Sequence, residues 1–235
     1  MNIIVTGASS GIGYQTALNF AKEKKHRVIA VARDLGKLQE LKQESMEYNP
    51  NSHLFPLQFD IGKDHDSDRL ISLVKKELTT VDILINNAGM LVNKPFAELT
   101  DEDFLAVYQV NVFGVAKTIQ TLLPYMGHPH THVVNIGSVG GITGSVKFAG
   151  LSAYSSSKGA LAILTECLAE EYKDKHISFN YLALGSVQTE MFSAAFPKFK
   201  AQTKPQEMAK FITEFAHNGH LVMNGKVIPV SKSNP

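Results

Sequence analysis

The sequence predicts an α/β fold in which a predominantly parallel, seven-stranded sheet is doubly wound and flanked by helices. Short β-branched segments alternate with helical patterns along the whole chain, and several of the strand candidates are almost wholly apolar. Such apolar runs are typical of parallel strands buried on both faces. The repeated β-α order favours right-handed crossovers between neighbouring strands. No repeat or Pro/Ser-rich linker interrupts this order, so residues 1–235 are predicted to form a single domain.

The individual elements follow from these patterns and from their lengths. The strand candidates are Asn2–Thr6, Arg27–Ala32, His53–Gln58, Ile83–Asn86, His132–Ile136, Ile177–Ala183 and Lys226–Val230. Helices are predicted near 12–24, 36–46, 66–79, 101–126, 154–173 and 205–217. Ligands of such sheets bind beyond the carboxyl ends of the strands, where the strand order reverses.

The composition excludes several classes of protein. The net charge is +1, from 23 basic and 22 acidic residues, so no basic field predicts binding to nucleic acid or to a membrane surface. Neither a signal peptide nor a run of ~20 apolar residues is evident. The single cysteine, Cys167, fits a reducing cytoplasm and is predicted to pack inside the core, because it lies in an apolar helical pattern.

A glycine-rich turn, Thr6-Gly7-Ala8-Ser9-Ser10-Gly11-Ile12-Gly13, joins the first strand to the first helix. Glycines there allow a tight turn, close backbone approach to a pyrophosphate and close packing of helix on strand. The helix N-terminus adds free N–H groups and a partial positive charge. No Gly-Lys-Ser/Thr follows, which excludes a P-loop, and the pattern predicts a dinucleotide site.

The second strand ends in Val31-Ala32-Arg33-Asp34, about where the adenosine ribose of a dinucleotide is recognised. Arg33 favours NADP(H), because a guanidinium suits a phosphate in two-pronged geometry. Its neighbour Asp34 leaves NAD(H) open, since an acidic side chain bonds the ribose in NAD sites.

Tyr154 and Lys158 stand one helical turn apart, so that they share one face of a helix. A free tyrosine has a pKa of ~10. A cation ~4 Å from the phenol, at an effective dielectric of ~20, contributes ~4 kcal/mol and is predicted to lower that pKa. Such a pair can pass the proton that accompanies hydride transfer to a carbonyl.

Together these motifs resemble the short-chain dehydrogenase/reductase family, in its compact single-domain branch with a Rossmann-like fold. The resemblance covers most of the chain and rests on motifs in the family's order: Gly7–Gly13, Asp60-Ile61, Asn86-Asn87-Ala88-Gly89, Asn111, Ser138, Tyr154 and Lys158. It implies a catalytic set of four residues: Asn111, Ser138, Tyr154 and Lys158. It also implies a set of residues that bind the cofactor: Gly7, Ser9, Ser10, Gly11, Ile12, Gly13, Arg33, Asp60, Ile61, Asn86, Ala88, Gly89, Tyr154, Lys158, Val187 and Thr189.

By this resemblance Ser138 bonds the substrate oxygen, Tyr154 is the general acid/base, and Lys158 tunes it and holds the nicotinamide ribose. Asn111 completes a proton relay from a distortion in its helix. The connection from Ser138 to Tyr154 is longer than is usual in the family, so it is expected to bulge over the substrate cleft. This length makes Ser145 a second candidate for the catalytic hydroxyl, although Ser138 is preferred because it follows the strand directly.

The segment 190–204 is predicted to cover the active site with three phenylalanines, or else to pack a short helix onto the core. The predicted function is an NADP(H)-dependent oxidoreductase that interconverts a carbonyl and a secondary alcohol. The substrate, a small molecule, is left open between an oxoacyl thioester, a ketone, a sugar and a pterin. The alternative is a non-catalytic NADP(H)-sensing protein on the same fold.

Two further expectations concern assembly and metals. Apolar residues on several faces of the helices at 101–126 and 154–173 predict a homodimer or homotetramer, as in relatives that the chain resembles. The tract His128-Pro129-His130-Thr131-His132 looks like a metal site, but it is predicted to hold no metal because it precedes a strand at the end opposite the cofactor.

Overall fold

The computed structural model describes residues 1–63 and 67–232, in which seven strands form one sheet with the order β3-β2-β1-β4-β5-β6-β7. Every neighbouring pair is parallel. The strands are β1 (Asn2–Thr6), β2 (Arg27–Ala32), β3 (His53–Gln58), β4 (Ile83–Asn86), β5 (Thr131–Ser138), β6 (Ile177–Leu184) and β7 (Lys226–Val230). The strand order reverses between β1 and β4, which opens a crevice at their carboxyl ends.

Eight helices accompany the strands within the described part of the chain. They are α1 (Gly11–Lys22), α2 (Leu35–Tyr48), α3 (Asp68–Leu73), α4 (Asp101–Tyr108), α5 (Val115–Leu122), α6 (Ser152–Glu171), α7 (Glu190–Ala195) and α8 (Pro205–Asn218). Two π-helical segments, Val74–Leu78 and Gln109–Gly114, continue α3 and join α4 to α5.

The sheet separates two apolar cores, which explains why the central strands are apolar on both faces. One core packs α1, α2 and α8 against the sheet through side chains such as Phe20, Leu41 and Ile212. The other core packs α3, α5 and α6 through side chains such as Leu70, Ile119 and Leu161. All eight residues of β6 are buried, and this strand carries Tyr181 beneath the site described below.

The predicted fold class and all seven strands are confirmed, with small changes at the ends. β5 begins one residue earlier than predicted and runs on to Ser138, and β6 includes Leu184. Residue 66, the predicted start of the third helix, lies outside the described residues.

The helical stretch predicted near 101–126 is present in interrupted form, and it is distorted at Asn111 as expected. The chain forms a π-helical segment at Gln109–Gly114, with 3-10 geometry at Leu123–Tyr125 after α5. The Ile61 carbonyl lies against Gly114, where a Cβ atom would stand 2.5 Å from its oxygen. This close approach of the loop after β3 coincides with the distortion.

The prediction of a buried Cys167 is wrong, because its side chain is exposed on α6. Leu161, Thr165 and Ala169 are spaced four residues apart and face the core, and Cys167 lies between the last two on the opposite side of the helix. No helix in residues 1–63 and 67–232 combines the length and the apolarity needed to cross a membrane.

Candidate active site

A cleft of about 830 Å³ opens at the carboxyl edge of the sheet. Fifteen of the predicted site residues line it: Gly7, Ser9, Ser10, Gly11, Ile12, Arg33, Asp60, Ile61, Ala88, Gly89, Ser138, Tyr154, Lys158, Val187 and Thr189. Three predicted residues do not line it, namely Gly13, Asn86 and Asn111. The ends of several strands thus bring residues from the first 13 positions and from beyond 180 into one cavity.

The glycine-rich turn is fixed by its backbone. Gly7 and Gly11 adopt left-handed conformations, with φ of 67° and 56°. A Cβ atom at Gly7 would lie 2.7 Å from the Cα atom of Ala88, so any larger residue is excluded. Ser10, the N-cap of α1, makes no side-chain cap, so the free N–H groups of the first turn stay available for an anion.

Asn87 holds this turn in place, a role that the sequence analysis missed. Its Nδ2 donates to the carbonyls of Thr6, at 3.1 Å, and of Gly7, at 3.2 Å. The Thr6 hydroxyl accepts hydrogen bonds from the backbone N–H groups of Asn87 and Ala88. A Cβ atom at Gly13 would lie 2.3 Å from Asn87 Nδ2, which shows why Gly13 serves packing and does not line the cleft.

A side recess of the cleft surrounds Arg33 and is also lined by Ser9, Asp34, Lys37 and Glu190. The Arg33 side chain is exposed there. Asp34 is the N-cap of α2, and its Oδ1 accepts from the Lys37 N–H at 3.1 Å. One oxygen of the Asp34 carboxylate therefore caps the helix, and Arg33 lines the same recess.

The residues expected to bind the cofactor after β3 and β4 lie in two different environments. Asp60 and Ile61 follow β3 and line the cleft. Asn86 was predicted to line it too, but its side chain is 1% exposed and donates to Asn135 Oδ1 at 2.8 Å. The cause is strand register, since Asn86 is the last residue of β4 and its side chain bonds that of its partner Asn135 on β5, while Ala88 and Gly89 follow the strand and line the cleft.

Ser138 ends β5 in the cleft and is held from below by Tyr181 of β6. The Tyr181 hydroxyl accepts from the Ser138 N–H and donates to the Lys158 carbonyl, each at 3.0 Å. A Cβ atom at Gly137 would lie 1.7 Å from the Tyr181 ring, so only glycine leaves room for it. The sequence did not predict this role of Tyr181, because an apolar strand pattern does not show which of its hydroxyls reaches the site.

Tyr154 and Lys158 share one face of α6 as predicted, but their electrostatics differ from the prediction. Lys158 Nζ lies 5.9 Å from the centroid of the Tyr154 ring and donates to the Ile136 carbonyl at 2.9 Å. Burial raises the pKa of Tyr154 to about 12, and a hydrogen bond with Ser138 opposes this rise. Burial also lowers the pKa of Lys158 to about 8. The predicted lowering of the Tyr154 pKa is therefore wrong for this state of the site, because burial outweighs the distant cation.

Asn111 is fully buried in the π-helical segment and does not reach the cleft. Its Oδ1 accepts from the Met90 N–H at 2.8 Å, and its Nδ2 donates to the Met90 carbonyl and to Ser157 Oγ, both at 2.9 Å. The side chain thus ties the strand-end loop after β4 to α6, next to the turn that carries Tyr154.

The long connection between β5 and α6 folds beside the cleft, to which Phe148 and Leu151 contribute. Ser145, the second candidate for the catalytic hydroxyl, does not line the cleft. Its Oγ donates to the Ile142 carbonyl and accepts from Lys147 Nζ, at 2.9 and 2.6 Å. Ser138 is therefore the hydroxyl that the structure brings to Tyr154.

The predicted covering segment lies over the same end of the cleft. Thr189 caps α7, accepting from the Phe192 N–H at 3.1 Å. Phe196 lies 5.3 Å from Phe192 and 5.8 Å from Phe148, measured between ring centroids. The rings of Phe192 and Phe196 line the cleft, whereas α7 has no buried residue and so does not pack onto the core. Coverage of the active site by this segment stays a prediction.

Comparison with known proteins matches residues 1–199 to the short chain dehydrogenase family. The chain is 33% identical over 196 residues to an NADP-dependent 3-hydroxy acid dehydrogenase of Schizosaccharomyces pombe, with 83% of this chain and 74% of that protein covered. It is 30% identical over 241 residues to a 3-oxoacyl-[acyl-carrier-protein] reductase of Thermotoga maritima, with 97% and 94% covered.

Solved structures agree with these relatives in fold. A short chain dehydrogenase from Salmonella enterica serovar Typhi superposes with a TM-score of 0.87 at 26% identity, covering 97% of this chain and 94% of that one. One from Shigella flexneri complexed with NADP gives 0.87 and 26%, with 97% and 95% covered. The chain therefore belongs to the short chain dehydrogenase family, whose members are NAD(P)-dependent oxidoreductases.

Proposed function

We propose that this protein is an NADP(H)-dependent oxidoreductase that interconverts a carbonyl group and a secondary alcohol. One observation carries the proposal. The side chains of Ser138, Tyr154 and Lys158 line the same cleft as the glycine-rich turn. A proton donor and a polarising hydroxyl thus meet beside a site suited to a dinucleotide.

The residues present fit such a cofactor. The turn Gly7–Ile12 leaves backbone N–H groups free at the start of α1, which suits a pyrophosphate. Arg33 in its recess suits a 2′-phosphate, while Asp34 is engaged in capping α2. The names of the S. pombe relative and of the S. flexneri complex, both of which mention NADP, support NADP(H) over NAD(H). When bound, the cofactor supplies or accepts the hydride.

This chain's own residues supply the proton and orient the carbonyl. The raised pKa keeps the Tyr154 phenol protonated at neutral pH, so it is ready to donate to a carbonyl oxygen during reduction. Ser138 polarises the same oxygen from the end of β5, held there by Tyr181. The Lys158 ammonium, on the same helix face, stabilises the negative charge that develops on the phenolic oxygen. Asn111 braces the loop and the helix around the pair through its bonds to Met90 and Ser157, and its part in a proton relay stays a prediction.

The cleft lining favours a substrate with an apolar portion. Met90, Leu91, Phe148, Leu151, Phe192 and Phe196 contribute apolar surface at this end. Among the substrate classes left open, an oxoacyl compound or an alkyl or aryl ketone fits this lining better than a sugar, whose hydroxyls would lose hydrogen bonds there. The names of the two relatives, which mention a 3-hydroxy acid and a 3-oxoacyl group, support the same choice.

The test is NADPH consumption with a panel of ketones, aldehydes and oxoacyl thioesters, comparing the native protein with Tyr154→Phe. We expect a loss of ~10²–10⁴-fold in kcat with NADPH binding retained, because only the proton donor is removed. Tyr172→Phe is the matched control, since Tyr172 follows the same helix outside the cleft and its substitution should leave kcat unchanged.

Turnover that persists unchanged in Tyr154→Phe would contradict the assigned role. NADPH binding without turnover of any compound in the panel would favour the sensing alternative instead. The homodimer or homotetramer and the cytoplasmic location remain predictions from the sequence.

A further inference from the structure

A second cluster of functional side chains lies at the opposite edge of the sheet, among Glu23, His26 and His217. Glu23 follows α1, His26 precedes β2, and His217 stands in the last turn of α8. One nitrogen from each histidine and one oxygen from the glutamate lie within 4.8 Å of one another. None of the three residues lines the cleft. Glu23 and His217 are 194 positions apart, so no spacing in the sequence shows the three residues together.

The two ring nitrogens that face this cluster are short of partners. The His26 side chain is 0% exposed, yet its Nε2 makes no hydrogen bond among the described residues, and the same holds for the buried Nε2 of His217. Glu23 Oε2 lies 3.0 Å from His26 Nε2, and Glu23 Oε1 lies 3.6 Å from His217 Nε2. The contacts are close in distance but are not aligned as hydrogen bonds. A buried nitrogen in this condition costs free energy that a ligand would recover.

The spacing fits a tetrahedral metal ion. Zn²⁺ binds histidine nitrogen and carboxylate oxygen at ~2.0–2.2 Å, which puts neighbouring ligand atoms about 3.3–3.6 Å apart. The distances of 3.0 and 3.6 Å from the Glu23 oxygens need only small side-chain movements to reach that geometry. Two imidazoles and one carboxylate suit a borderline ion such as Zn²⁺ and are a poor set for Mg²⁺.

The surroundings contain charges of both signs. The carboxyl ends of α1 and α8 both meet here, and their unpaired carbonyls favour a cation. Against a cation stand Lys25, whose Nζ is 3.7 Å from Glu23 Oε2, and the amino group of Met1, 3.3 Å from His26 Nδ1. The Lys25 side chain is 76% exposed and is free to turn into solvent.

The geometry points to a structural site for one divalent ion of borderline softness, with Zn²⁺ as the best fit, ligated by Glu23, His26 and His217 and completed by water. Such an ion joins the end of α1, the start of β2 and the end of α8. It is remote from the cleft, and its role is to clamp α8 onto α1 rather than to take part in chemistry. The rings of His26 and His217 already stack at 5.2 Å between centroids, so little ordering is needed on binding.

The experiment is isothermal titration calorimetry of the full chain with Zn²⁺ after chelator treatment and dialysis, together with thermal unfolding. We expect one Zn²⁺ per chain and a Tm that rises by roughly 5–10 °C at 100 times the Kd, because the ion binds the folded state. His217→Gln should weaken binding at least ~10-fold, since one ligand is lost. Mg²⁺ should give no signal at the same concentration.

His220→Gln is the matched control, because His220 stacks on His130 at 4.7 Å in a separate histidine cluster that also contacts His132. It should leave Zn²⁺ affinity unchanged. Glu23→Gln, at a side chain that is 42% exposed, provides a second variant should His217→Gln fail to fold. The absence of Zn²⁺ binding, its survival in Glu23→Gln and His217→Gln, or its loss in His220→Gln would each overturn the proposal.

Discussion

The two ends of the cleft are built by different means. At the cofactor end the shape is set by the backbone, since Gly7 allows no Cβ atom beside Ala88 and Asn87 binds the carbonyls of the turn. At the substrate end the shape is set by rings on two chain segments, of which Phe148 and Phe196 meet at 5.8 Å. Both segments are tied to the loop after β4, since Asn93 Nδ2 donates to the Ala195 carbonyl at 2.7 Å and the Lys94 N–H donates to the Gly150 carbonyl at 3.1 Å.

This difference in construction determines what kind of ligand each end can recognise. Backbone N–H groups and close glycine contacts do not depend on the surrounding side chains. They therefore suit a ligand that is the same in all relatives. Ring contacts on loops tolerate substitution, so they suit a substrate that differs between relatives. Lys158 lies at the border between the two ends, and a change there is expected to have the largest effect.

The first prediction uses pH to test this border. Because the pKa of Lys158 is about 8, its ammonium is present below that pH and lost above it. We expect kcat/KM for carbonyl reduction to fall as pH rises through about 8, since Tyr154 keeps its proton but loses the nearby cation. Lys158→Met should lower kcat/KM by ~100-fold or more and remove this fall.

The free energy of unfolding should change with pH in the opposite direction to kcat/KM, so the effects of Lys158 on stability and on catalysis can be told apart. The folded-state pKa of Lys158 lies below its ordinary value of 10.5, so the unfolded chain binds more protons between these values. The free energy of unfolding contributed by this group therefore rises from pH 8 to about pH 10.5. If kcat/KM fell with pH in the same way in Lys158→Met, the fall would belong to the titration of another group.

The second prediction concerns the cofactor end alone. Arg33→Ala should raise the KM for NADPH by roughly 10–100-fold, because a hydrogen bond between charged groups contributes ~1.5–3 kcal/mol. The KM for NADH and the kcat should stay nearly constant, since the recess around Arg33 lies away from Tyr154 and Ser138. Steady-state kinetics with both cofactors measure this.

Arg69→Ala is the control for Arg33→Ala, because Arg69 is an exposed arginine on α3 that lines neither the cleft nor its recess. Equal weakening of NADPH and NADH binding in Arg33→Ala would show that the side chain shapes the site without reading a phosphate.

The sequence predicted the cofactor end more fully than the substrate end, for a physical reason. Glycines at fixed spacing after a strand are a local pattern, and Gly7 and Gly11, which line the cleft as predicted, belong to one. The misses needed tertiary information. Asn86 is turned inward by its pairing with Asn135, and Tyr181 reaches Ser138 from a neighbouring strand.

The electrostatics of the site and the exact geometry of the helices also could not be predicted from the sequence. An i,i+4 spacing places Tyr154 and Lys158 on one face, but it cannot show that the ammonium turns to the Ile136 carbonyl. The helical pattern over 101–126 likewise does not show that the distortion at Asn111 is a π-helical segment, which coincides with contact between Gly114 and Ile61. The cluster of Glu23, His26 and His217 was invisible for the same reason, because three separate elements supply it.

The last and smallest effect is predicted at the substrate end. Phe196→Ala removes the ring that contacts Phe148 and Phe192, and aromatic pairs of this kind contribute ~0.5–1.5 kcal/mol each. We expect the KM for an apolar ketone to rise about 2–10-fold, with the KM for NADPH unchanged, because the ring touches only the substrate side. Phe211→Ala, at a phenylalanine of α8 outside the cleft, is the matched control. If Phe196→Ala instead raised the KM for NADPH as much as the KM for the ketone, the two ends would not be separable. Phe196 would then have to be assigned to the cofactor site as well.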